Sequence, residues 1–247
     1  MKELSTEELI QALNNNNSNS HTVISRMSNN DKEAALDTLA DAFKEDPYFS
    51  WVADFQSGDT EKERKMKTMN KYFFQLQFYL CRGVPMVIKD RNNQVVGTMN
   101  ICPSSSQNES ILRMLLAMIK YGFPPMYKSK EKKMYGPNSR RRLEASEILV
   151  KRRKAHMKGI TRWIYLPCIG IRSDQQGSGH GKKLLELLFA TADSLQVPVY
   201  LETESKGNEN LYKRFGFRTL EEHDLVAPND ESPTARMTMY LMKRDSQ

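Results

Sequence analysis

The sequence predicts an α/β fold with a mixed sheet flanked by helices and a helical, basic insertion. Three observations predict it. Trp163–Ile171 is an apolar run, Leu184, Leu185, Leu188, Phe189, Ala192 and Leu195 repeat at helical spacing, and Val199–Thr203 is again strand-like. That order is a β–loop–α–β unit, whose strands are expected to lie parallel through a right-handed crossover. Second, Met86-Val87-Ile88 and Val95–Ile101 flank Asp90-Arg91-Asn92-Asn93, which reads as a hairpin. Third, helical periodicity precedes the hairpin. Leu36, Leu39, Ala40 and Phe43 share one face up to Pro47, and Met66, Met69, Phe73, Leu76 and Leu80 form another stripe over 61–80.

The ends follow in order. Residues 1–30 contain Asn14–Asn17 and Ser18-Asn19-Ser20, a polar tract read as a disordered tail. Before that tract, Ser5 and Glu8 could make a capping box for a short helix carrying Leu9, Ile10 and Leu13. One domain is expected over 31–247. Its 107–158 segment is helical and basic, broken at Gly122–Pro125 and at Gly136-Pro137. A short helix around Asn208–Phe215 stops at Gly216, and strands follow from Phe217 and over Arg236–Met242. Pro167 interrupts the central strand by removing a ladder donor, so the sheet is expected to open or bulge there.

The chain's net charge of +7 is unevenly distributed. Between Lys128 and Lys158 twelve Lys or Arg face three acids, a balance of +9 that leaves the remainder at −2. A nucleic-acid surface would spread its charge more widely, so a nucleic-acid partner is not expected. The basic runs Arg140–Arg142 and Lys151–Lys154 read as a solvated helix face. No apolar stretch approaches the length that crosses a bilayer. Cys81, Cys102 and Cys168 have neither metal-ligand spacing nor an even count, which suggests a reducing, cytoplasmic setting and no metal. Oligomeric state is not legible.

Residues 175–182 read QQGSGHGK, with glycines at every second position. The segment fails as a nucleotide-binding P-loop, because Gln176 stands where the first glycine belongs and Lys183 where Ser or Thr belongs. It fails as a dinucleotide fingerprint because Lys182 occupies the third glycine's position. What remains is a side-chain-poor bend at a helix N-terminus, which turns main-chain N–H groups and positive partial charge toward one point and suits a pyrophosphate.

The segment Gln176-Gly177-Ser178-Gly179-His180-Gly181 resembles the acetyl-CoA-binding motif of the GNAT acyltransferase superfamily. So do the strand before it, the Leu201-Glu202-Thr203 strand after it, and Asn208–Phe217 with Tyr212 four residues ahead of Gly216. The nearest likeness is to the branch containing puromycin N-acetyltransferase, and it covers about residues 160–220. The resemblance implies a mostly antiparallel sheet with a splayed central parallel pair and an N-acetyltransferase using acetyl-CoA. Gln176, Gly177, Ser178, Gly179, His180, Gly181 and Lys182 would hold the pyrophosphate. Ile169, Gly170 and Ile171 would pair with the pantetheine arm, and Asn208 would bind the cofactor or cap its helix.

Tyr212 would protonate the departing thiolate, a transfer that suits a well-placed phenol. Glu202, near its strand's end, is the candidate base, with His156 and His180 as rivals. Cys168, lacking a His partner, reads as a small buried hydrophobe. The acceptor is expected to be a small-molecule amine, or else a peptide amine. Two other readings stand beside this one: a nucleic-acid-associated module using residues 128–158, and an acyl-CoA sensor without turnover.

Overall fold

In a computed structural model, residues 2–17, 23–53, 60–106, 111–122, 137–227 and 235–247 are described. The predicted breaks at 123–125 and 136 lie outside them. Seven strands form one sheet in the order β1-β2-β3-β4-β5-β7-β6. They are β1 (Val23–Arg26), β2 (Val84–Lys89), β3 (Val95–Pro103), β4 (Ile164–Ile171), β5 (Val199–Thr203), β6 (Arg218–Val226) and β7 (Arg236–Arg244). Every neighbouring pair is antiparallel except β4 with β5. The hairpin and the β–loop–α–β unit are where the period of the sequence puts them.

Alternation along β2 sorts the helices onto two faces. Met86 and Ile88 join a core with α1 (Thr6–Asn16) and α7 (His180–Ser194), whereas Val87 points to the opposite side with Ala35 of α2 (Lys32–Ala42). That second side also carries α3 (Pro47–Ala53), α4 (Lys62–Leu80) and α6 (Pro137–His156). α5 (Ile111–Tyr121) leans on α4, and α8 (Lys206–Arg214) leans on β6 and β7. Pro47, expected to end a helix, opens α3, a first-turn position where its missing N–H costs nothing.

The disordered tail expected over 1–30 is corrected. Both halves of the Ser5/Glu8 capping box form, at 3.2 and 2.9 Å. Leu4, Leu9 and Leu13 are at most 1% exposed, and β1 extends the sheet along β2. The asparagines had masked this because the helix needs only one apolar stripe; Asn14–Asn16 can ride on the other face. Residues 18–22 lie outside the described set.

The sheet opens at β4. Against β3, Cys168 faces Asn100 but Tyr165 faces Cys102, so β4 carries one residue more than its partner between those rungs. That is a β-bulge, and it falls on Leu166-Pro167. The side chains change phase there. Ile164 and Leu166 point into the core with α7, and so do Ile169 and Ile171, while Cys168 between them packs with α2 and α4. Against β5 the partnership is brief. Only Ile164↔Val199 and Tyr165↔Tyr200 pair, after which the two strands separate.

If α1 is part of the core, Leu9→Ala should cost about 2–5 kcal/mol in urea unfolding, the range for a buried leucine. A tail residue would change stability by less than about 0.5 kcal/mol.

Candidate functional site

Beyond Ile171 the chain makes a 3₁₀ turn at Ser173–Gln175 and enters the glycine bend. Gly177 and Gly179 have φ of +79° and +80°, a left-handed conformation that side chains with a Cβ resist, and both face open space. Gly179 is the N-cap of α7 and offers no side chain to it. The first main-chain bond of that helix runs from Lys183 N–H to the Gly179 carbonyl. The amides just ahead of Lys183 therefore have no partner within the helix. Gln176, Ser178, Gly179 and Lys182 are exposed around this point, His180 and Gly181 are partly covered, and Gln176 Nε2 bonds back to the Ile171 carbonyl at 3.3 Å. A concavity of main-chain donors at a helix N-terminus can seat a diphosphate.

The opening between β4 and β5 leads away from this bend. Ile169 and Ile171 are half-buried on its α7 side. Gly170 has a packing duty on the other side: a Cβ there would sit 2.9 Å from the Ala42 Cβ and 3.0 Å from Leu39 Cδ2. Tyr212 of α8 packs edge-on against Phe217 at 5.5 Å. Burial lifts its hydroxyl well above the ordinary phenol range, with Glu204 and Cys168 adding to the effect. It is thus a phenol that stays protonated. Cys168 is 5% exposed and burial pushes its thiol up as well, which fits the inert hydrophobe expected.

Glu202 is not free to act as a base, and that expectation is corrected. Its carboxylate accepts from Arg153 Nη1 at 3.1 Å and from Tyr165 Oη at 2.7 Å, and the ion pair is almost fully buried, at 8% and 6% exposed. The guanidinium also lies 4.2 Å from the Tyr165 ring centre. Both carboxylate oxygens are committed. His156 is engaged too, at 2.7 Å from Glu221 on β6. Asn208 does not cap α8: Ser205 is the N-cap, and its hydroxyl accepts the Asn208 N–H at 3.3 Å while the Asn208 side chain stays exposed.

A pair of carboxyls that the sequence reading missed lies at the end of β5. Asp46 caps α3, its Oδ1 accepting the Phe49 N–H at 2.9 Å. Glu204 follows the last residue of β5 and hydrogen-bonds Asp46. Burial is the main cause that raises both, the neighbouring Asp46 charge adding for Glu204, whose pKa is pushed up to about 8. Two carboxyls this close share a proton, because both cannot ionise cheaply. Strand parity held the signal: Glu202 and Glu204 lie on one face of β5, the former at the sheet's closed end and the latter at its rim.

The basic segment is not simply solvated. Arg141 is 4% exposed, donates to the Trp51 carbonyl at 3.0 Å and stacks near that indole, and Arg153 is buried against Glu202. Among the described residues, no group of three His, Cys, Asp or Glu is placed to hold a metal, and no helix is long and apolar enough to cross a membrane.

No family model matches the chain. It is 26% identical over 214 residues to an uncharacterized N-acetyltransferase of Schizosaccharomyces pombe, covering 84% of this chain and 79% of the other. A solved histone acetyltransferase HPA2 and related acetyltransferase from Corynebacterium glutamicum superposes with a TM-score of 0.52 at 20% identity, covering 92% of this chain and 97% of that one. The polyamine N-acetyltransferase of Drosophila melanogaster superposes at 0.51 and 16% identity, covering 91% and 99%.

The raised carboxyl sets a pH dependence of stability. Glu204 moves from an ordinary 4.5 to about 8 on folding, so between those values the folded chain keeps a proton that the unfolded chain has released. Its stabilising contribution is therefore complete in acid and is lost as pH rises through 8. The melting temperature should fall from about pH 5 to about pH 8, and Glu204→Gln should flatten that slope. Calorimetry across the range checks it; an equally steep slope in the variant would contradict the assignment.

Proposed function

We propose that this chain is a member of the GNAT superfamily and an N-acetyltransferase that moves an acetyl group from acetyl-CoA to a primary amine. The observation that carries the proposal is the β4–β5 pair, which keeps two rungs and then parts beside a glycine bend at a helix N-terminus. An extended thioester arm can lie along the main-chain groups of Ile169–Ile171 as an added strand would. Its diphosphate then meets the amides of Gln176–Lys182, where the positive end of α7 favours it. Asn208 on the exposed face of α8 remains a candidate contact to the same ligand. Acetyl-CoA supplies an activated acyl carbon; the rest is the protein's work.

That work is the handling of two protons. An alkylammonium must lose one before its nitrogen can attack. The Asp46–Glu204 pair, raised by burial with Glu204 pushed up to about 8, receives that proton once it has ionised. Tyr212, a phenol held protonated by burial, gives a proton to the departing sulfur and is restored by the nitrogen's second proton, released as the tetrahedral adduct collapses to the amide. Main-chain N–H groups beside the bulge polarise the thioester carbonyl. The acceptor is a small-molecule amine. A carboxyl pair at the rim of β5 attracts a cation, and Phe49, whose N–H Asp46 accepts, belongs to a cluster with Phe43 and Phe74 whose rings are 5.0–5.9 Å apart.

Incubation with acetyl-CoA and a panel of amines, following free thiol, tests this reading. Tyr212→Phe and Glu204→Gln should each lower kcat by about 10²-fold or more while leaving acetyl-CoA binding intact. The wild-type rate should climb with pH to a plateau above about 8. Acetyl-CoA at 100 times its Kd should stabilise the fold by about 2.7 kcal/mol, and Gly179→Asp should abolish that gain. Binding without thiol release from any amine would instead indicate a sensor. Steeply salt-dependent binding of DNA or RNA, indifferent to Tyr212, would indicate a nucleic-acid module.

A further inference from the structure

We infer that the buried Arg153–Glu202 pair, together with Tyr165, forms the inner wall of the β4–β5 opening and restricts it to short acyl chains. The inference rests on the acyltransferase reading for what enters the opening. The wall itself is described by geometry.

The last parallel rung is Tyr165↔Tyr200, and Glu202 is the second residue beyond it on β5, just where the strands have begun to part. Tyr165 Oη donates to Glu202 Oε2 at 2.7 Å on the α6 face of the sheet, so a side-chain bridge joins the two strands just beyond their last main-chain rung. Arg153 comes down from α6 to close the same position, 3.1 Å from Glu202 Oε1 and 4.2 Å from the Tyr165 ring centre. The pair is 8% and 6% exposed. Farther out on the same face of β5 stands Glu204, and Cys168 lies past the bulge on β4. The opening thus runs from a charged, desolvated root to a rim where the proton-handling groups sit.

A methyl group can stop short of that root. A longer aliphatic tail would have to press against an ion pair whose two partners have no water to fall back on. Prising such a pair apart exposes an uncompensated buried charge. An apolar root of similar volume would take the tail instead, each added methylene contributing as it leaves water. Single removal of either partner would leave the other unpaired, so both must change together.

Calorimetric titration of CoA, acetyl-CoA and butanoyl-CoA against wild type, Arg153→Met/Glu202→Leu and Tyr165→Phe tests this. Wild type should bind butanoyl-CoA at least about tenfold more weakly than acetyl-CoA. In the double variant that ratio should fall about tenfold, the worth of two methylenes, with CoA itself bound as before. Equal affinities in wild type, or an unchanged ratio in a folded double variant, overturns the inference alone. Should the double variant fail to fold, Tyr165→Phe, which keeps the ring and loses only the bridging hydroxyl, should shift the ratio about threefold, and no shift overturns the inference. Failure of wild type to bind CoA or either thioester overturns the functional reading and this inference together.

Discussion

Two neighbouring strands that pair for two rungs and then part leave a line of main-chain donors and acceptors without partners, in the middle of a sheet rather than at its edge. Such groups are costly to bury unsatisfied, so a fold keeps them only where something stabilises the separation. Here the extra residue at Leu166-Pro167 turns β4 by one step. Proline has no N–H to lose from the ladder. The bulge also swings Cys168 toward α2 and α4 and returns Ile169 and Ile171 to the α7 core, which anchors the strand on both faces despite the missing neighbour. The glycine bend, the phenol on α8 and the carboxyl pair are all positioned relative to that opening.

Electrostatics at the opening is graded by burial. At its closed end the Arg153–Glu202 pair balances itself, with Tyr165 filling the remaining acceptor site. At its rim two like charges face each other, with no cation beside them among the described residues, and one proton settles the conflict. Proximity to a cation thus decides the chemical character of two carboxylates only two residues apart. It also gives the basic segment a structural purpose: Arg141 and Arg153 fasten α6 to Trp51 and to the sheet, while Lys151 and Lys154 lie exposed.

Much of this was legible in the chain. The change of period marked the hairpin and the β–loop–α–β unit, Pro167 marked the bulge, and alternating glycines marked the bend. These are local signals, carried by residues adjacent in sequence. What escaped was long-range. Nothing near Glu202 announces that an arginine 49 positions earlier will claim it. Asp46 reads locally as a helix cap before a proline, and only the fold brings it to Glu204. The N-terminal segment's place in the core escaped for a related reason: the capping box marks its helix, but a run of asparagines has no apolar pattern, and the buried stripe of Leu4, Leu9 and Leu13 finds its partner, α7, late in the chain.

Gly170 ties several of these parts into one body. With α2 resting on its bare Cα, the nearest carbons of Ala42, Leu39 and Phe43 would stand 2.9–3.2 Å from any Cβ placed there. The end of α2 leads within a few residues to Asp46. Any side chain at this position would act as a lever, lifting the helix and drawing the two acidic groups apart. A strand residue with no side chain thereby governs the spacing on which shared protonation depends.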